Sequence, residues 1–148
     1  MEQKRINELM EICKKDNLLT KNTAGDDMVF IDNGTFQLLI PKNGNTPEHG
    51  EFFINSLEGH YCFSYSDVST HTYHVLDGDG TFIVGDEQIP VKSGATVTIK
   101  PNTVYTYMGK MLLIEEMEPN FIPECEHEIG MIDYSKEDEE NHTKGSSK

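Results

Sequence analysis

The chain has 148 residues, enough for one domain with a sizeable core, and 26 acidic against 12 basic residues give it a net charge of −14. That balance repels phosphate backbones and argues against a nucleic-acid partner. No apolar run reaches membrane-spanning length, and the start, Met1-Glu2-Gln3-Lys4-Arg5, leads into a polar amphipathic segment. Cys13, Cys62 and Cys125 are odd in number and form no CxxC pair, so no disulfide framework or zinc knuckle is indicated and a cytoplasmic protein is expected.

Residues 2–19 carry Ile6, Leu9, Met10 and Cys13 at i, i+3, i+4, i+7, one helical stripe. This predicts a short N-terminal helix within residues 1–20, laid on the outside of the body. Residues 21–27 read as a loop. Short strands are predicted at 28–31 and 35–40, around the turn Asp32-Asn33-Gly34, and at 51–57 and 61–66, around Glu58-Gly59.

The stretch 71–80 reads as a strand followed by a tight turn. His71, Tyr73 and Val75 share one face by period-two alternation, and Thr72, His74 and Leu76 share the other. Asp77-Gly78 and Asp79-Gly80 are residues that tolerate positive φ, so a hairpin is expected, with 81–85 as the returning strand. Strands at 87–92, 95–99, 104–108 and 111–117 follow. Short, evenly spaced strands with turn signals between them predict an all-β sandwich or barrel. The barrel is placed at 28–118 and a post-barrel segment at 119–134. Its stretch Glu124-Cys125-Glu126-His127-Glu128 is read as solvated, and 135–148 as a disordered acidic tail.

Two glycine-framed patterns resemble the motifs of the cupin superfamily, small jelly-roll β-barrels of the RmlC-like type. The first frame falls on Gly59, Tyr65, Asp67, His71 and Gly78. The second falls on Gly94, Lys100, Asn102, Tyr105 and Gly109, with Pro101 beside the expected proline. The resemblance implies a cupin-type jelly-roll barrel and a homodimer. In metal-dependent cupins, three histidines and a glutamate hold a divalent metal. The equivalent seats here are Tyr65, Asp67, His71 and Tyr105, of which only Asp67 and His71 are ordinary ligands at neutral pH. The metal motifs are therefore degenerate, and no cofactor is expected.

By parity, His71, Tyr73, Tyr105 and Tyr107 face the lumen together, with Asp67 near its mouth. Phenol rings stack on small rings and their hydroxyls bind polar substituents. Binding of a small polar, carbohydrate-related molecule is therefore expected, through Tyr65, Asp67, Tyr73 and Tyr107. One alternative is a metal-independent sugar isomerase or epimerase, with His71 as base oriented by Asp67 and Tyr105 returning a proton. A second is a metal-dependent enzyme with Asp67 and His71 as atypical ligands. The same histidine and tyrosines also read as satisfied core groups of a small barrel. Lys100 is one of few cations near the predicted mouth.

Overall fold

The computed structural model describes residues 1–134, and the expected tail 135–148 lies outside them. Helix α1, Gln3–Asp16, buries Ile6, Leu9 and Cys13 as the stripe predicts. It ends where Asn17 turns left-handed at φ 68° and donates its N–H to the Cys13 carbonyl. The expected loop after it contains a single helical turn, α2, Lys21–Ala24. It forms because Thr20 and Thr23 cap each other reciprocally.

Ten strands make one curled antiparallel sheet: β1 Met28–Asp32, β2 Phe36–Pro41, β3 Gly50–Ser56, β4 Cys62–Ser66, β5 Thr70–Val84, β6 Glu87–Lys92, β7 Thr96–Ile99, β8 Tyr105–Met108, β9 Met111–Glu118 and β10 Glu126–Met131. One wall runs β1-β2-β3-β9-β5-β7. The other runs β6-β5-β8-β4-β10. Alternation along β3 and β9 sorts the side chains between two cores. Ile54 and Leu113 point into the lumen, whereas Phe53, Leu112 and Ile114 pack outward against Ile6 and Leu9 of α1. Burial of each such side chain contributes about 1.5–3 kcal/mol.

The expected hairpin at 71–80 does not form. β5 runs through it as one strand of 15 residues and belongs to both walls. Thr70–Gly78 pairs with β9 and Asp79–Val84 with β6, and the register slips between Val75 and Asp77. The Asp-Gly-Asp-Gly run is thus a strand corner and not a turn. Gly78 takes φ 85°, and a Cβ there would strike the Lys110 carbonyl, while one at Gly80 would strike that of Met108. The same residues that permit a tight turn let a bulged strand bend sharply against its neighbours. The actual turn comes at Gly85, φ 59°.

The stretch Glu124–Glu128, expected as solvated, is also corrected. After the 3-10 turn Pro123–Cys125, β10 pairs antiparallel with β4, matching Glu126 to Ser66 and His127 to Tyr65. Long-range backbone pairing, which an acidic composition does not signal, brings this segment over the barrel mouth. Among the described residues no helix is long and apolar enough to cross a membrane.

Candidate functional site

The lumen opens as a cavity of about 590 Å³. Its lower wall is apolar, with Phe36, Leu38, Phe52 and Ile54. Its polar groups converge from both walls: His60, His71, Tyr73, Tyr105, Tyr107 and Glu115, with Glu126 and Glu128 at the β10 side. A largely apolar cavity with a few convergent polar groups is the usual form of a small-molecule site.

His71 comes from β5 and is 4% exposed. Its register partner on β9 is Met117. The next inward residue on β9, Glu115, reaches it diagonally, with His71 Nδ1 2.7 Å from Glu115 Oε2. Burial pulls the His71 pKa down. The Glu115 hydrogen bond and charge, with the charge of Glu126, outweigh that and leave it above its ordinary value. Nε2 of the same ring is buried with no protein partner.

His60 lies just before β4. Gly59, at φ 140°, lets the backbone press against Tyr107 and Met108 of β8, where a Cβ would lie 2.6 Å from the Tyr107 carbonyl oxygen. The His60 N–H donates to that same carbonyl at 2.9 Å. The ring stacks on Phe36 at 5.4 Å, and its Nδ1 is 2.7 Å from the Cys62 carbonyl. A carbonyl only accepts, so Nδ1 carries hydrogen and Nε2 keeps the lone pair when the ring is neutral. Burial pushes the His60 pKa down, against the pull of the Cys62 hydrogen bond and the charges of Glu115 and Glu128.

Tyr105 neighbours both imidazoles, its ring centre 6.3 Å from that of His60 and 5.3 Å from that of His71. Its hydroxyl is 2.6 Å from that of Tyr73 and 3.4 Å from His71 Nδ1. Burial, helped by the Glu115 charge, pushes the phenols of Tyr73, Tyr105 and Tyr107 well above their ordinary pKa. They remain protonated and serve as hydrogen-bond donors and acceptors.

The structure thus brings His71, Tyr73, Tyr105 and Tyr107 together in the lumen, but not Tyr65 or Asp67. Asp67 does not orient His71: its Oδ2 lies 2.9 Å from Nε2 of His127, on whose ring Tyr65 stacks at 4.7 Å. The reason is β10, which places His127 beside β4 and draws both residues toward the outside. Lys100 is exposed and does not line the cavity. Sequence reasoning missed Glu115, His60 and Glu126. For Glu115 a signal existed, since Leu113, Glu115 and Met117 alternate on one face and a lone acid on an apolar face calls for a buried partner.

The four positions that hold the metal in metal-dependent cupins do not fit one here. Tyr65 and Asp67 are turned to His127, His71 Nδ1 is taken by Glu115, and Tyr105 holds its phenolic proton. Among the described residues no group of three or more His, Cys, Asp or Glu side chains is arranged to hold a metal ion.

A curled jelly roll whose lumen takes side chains from both walls defines the cupin fold, and this chain has that fold. Among solved structures it is similar to Pac13, described as a nucleoside dehydratase, with a TM-score of 0.70 and 22% identity over 75% of this chain and 92% of that one. Variants of the Streptomyces protein are solved with uridine. It is also similar to KdgF from Halomonas sp., TM-score 0.56, 14% identical over 63% of this chain and 87% of that one. An RmlC-like cupin from Shewanella frigidimarina gives TM-score 0.56 at 15% identity, over 64% and 86% of the two chains. No family model and no curated protein matches the chain.

Proposed function

We propose that the cavity binds a small nucleoside-like molecule and removes water from it by metal-independent acid–base catalysis. One observation carries this: two histidines in one cavity, His71 buried and His60 half-buried, are pushed in opposite pKa directions, His60 down and His71 up. Paired groups with divergent pKa values are the signature of a base and an acid that coexist near neutral pH. His60, neutral with its lone pair on Nε2, takes a proton from a C–H made acidic by a neighbouring carbonyl. The electron pair forms the C=C bond as the C–O bond on the next carbon breaks. His71, charged and held by Glu115, gives its Nε2 proton to the departing hydroxide, which leaves as water. His60 then returns its proton to solvent and His71 takes one up.

The ligand class has separate support. In the Streptomyces protein, the histidine and the two tyrosines replaced in the uridine complexes stand 13 and then 34 positions apart. The same intervals separate His60, Tyr73 and Tyr107. The Phe36, His60 and Tyr61 rings, stacked at 5.4 and 6.1 Å from Phe36, offer a face for a flat heterocycle.

The isomerase or epimerase alternative uses the same proton abstraction without loss of hydroxide. The two separate in deuterated water with a uridine derivative that bears a sugar carbonyl beside a C–H and β to a hydroxyl. Dehydration gives a product lighter by one water; isomerisation gives deuterium at carbon with the mass of water retained. Neither change, with binding intact, leaves a binding protein and overturns the catalytic assignment. We include a homodimer and a cytoplasmic setting in the proposal. The exposed Val29 and Ile31 on the edge strand β1 favour the first, and the three free cysteines the second. Light scattering on the purified chain tests the dimer, and a monomer mass at micromolar concentration removes it.

A further inference from the structure

We infer that Glu126, delivered by β10, makes the cavity select uncharged nucleosides over their phosphorylated forms. This rests on the nucleoside reading above and adds which member of that class the site takes. Among the described residues no lysine or arginine lines the cavity, while three glutamates do: Glu115, Glu126 and Glu128. Two of them are already engaged, Glu115 by His71 and Glu128 by the Tyr61 hydroxyl. Glu126 is different. Its Oε2 is buried in the cavity wall with no protein partner, as is Nε2 of His71, itself 4% exposed. Buried polar atoms left open on a cavity wall are atoms a ligand satisfies. An open carboxylate oxygen accepts hydrogen bonds from the hydroxyls of a sugar or the N–H of a base.

A phosphate meets the opposite conditions. It finds no lysine or arginine and no bidentate donor, the His71 imidazolium is already paired with Glu115, and it must approach acids in a protein whose net charge is already −14. α1 packs on the outer face of the sheet, away from the lumen, so its N-terminus offers no anion site there. Glu126 sits opposite Ser66 in the β4–β10 register, and the Ser66 side chain hydrogen-bonds its carboxyl group, leaving Oε2 open.

The test is calorimetric titration of the full chain with uridine and with uridine 5′-monophosphate, for the wild type, Glu126→Gln and Glu126→Asp. The wild type is expected to bind uridine at least about tenfold tighter than the monophosphate, the gap narrowing as salt is raised. Glu126→Gln is expected to weaken uridine and shrink the gap by about tenfold. Glu126→Asp keeps the charge and withdraws the oxygen, so it should lose uridine affinity yet still reject the monophosphate. Equal or tighter binding of the monophosphate by the wild type, or a gap unchanged in Glu126→Gln, overturns the inference while leaving the nucleoside reading in place. Failure of the wild type to bind either compound overturns both.

Discussion

Nδ1 of His71 lies 2.7 Å from Oε2 of Glu115, in the buried interior between strands β5 and β9. The contact sets the charge of the ring and leaves the opposite nitrogen open to the cavity. Because the His71 pKa is raised above its ordinary value of about 6.5, the pair contributes stability that is complete below that value and is lost as pH rises through the raised pKa. Glu115→Gln should therefore cost about 1–3 kcal/mol near pH 6 and clearly less near pH 9. Urea denaturation at the two pH values measures this, and an equal loss at both would show that the interaction does not depend on the imidazole charge.

The catalytic rate should follow a bell in pH, because His60 must be neutral and His71 charged. The acid limb reports the lowered His60 pKa and the alkaline limb the raised His71 pKa. Glu115→Gln should draw the alkaline limb to lower pH and move the acid limb less in the same direction, since His71 loses both the hydrogen bond and the charge of Glu115 while His60 loses only the charge. Movement of the acid limb alone would reverse the two assignments.

Tyr73→Phe removes the 2.6 Å hydrogen bond to Tyr105 and leaves the Tyr105 hydroxyl near His71 at 3.4 Å. The expected loss is about 1 kcal/mol of stability. The rate should fall while ligand affinity changes little, since Tyr73 acts on the proton-handling group through Tyr105. A thermal melt and a split of kcat from KM check both halves.

The strand corner gives a prediction about the fold alone. At Gly78, with φ 85° and the Lys110 carbonyl against it, an alanine strains the backbone and collides. Gly78→Ala should cost about 3 kcal/mol or prevent folding, whereas Gly85→Ala, with open space around it, should cost about 1 kcal/mol. Similar losses at both sites would mean that the corner is not tightly packed.

Much of the barrel was legible because turn residues and period-two alternation are local. Parity together with the cupin-like motif frame puts His71, Tyr73, Tyr105 and Tyr107 on the lumen side, and all four line the cavity. The strand corner was not legible, since Asp-Gly pairs suit a hairpin and a bulged bend equally. Which one forms depends on whether β9 and β6 take up successive halves of β5. The partners of the histidines were harder still. Asp67 is near His71 in sequence, yet β10 draws it to His127, and Glu115 reaches His71 from a strand more than forty positions away. Electrostatics of the site is set by such long-range pairs, and only one of them, the lone acid on the inner face of β9, left a trace in the pattern.

Chelation addresses the metal-dependent alternative. Dialysis against EDTA should leave the melting temperature and uridine binding unchanged, since the cupin metal positions are engaged elsewhere. A drop in either, restored by one divalent ion, would return Asp67 and His71 to consideration as ligands.

The opposed histidines are the centre of the account, and their ring nitrogens can be read directly. A ¹⁵N NMR titration of the full chain, with and without uridine, reports charge and tautomer for each imidazole. Near neutral pH, His60 is predicted to be neutral with hydrogen on Nδ1 and His71 to be protonated on both nitrogens, with uridine shifting both signals. The two rings titrating together near the ordinary histidine value, indifferent to uridine, would contradict it.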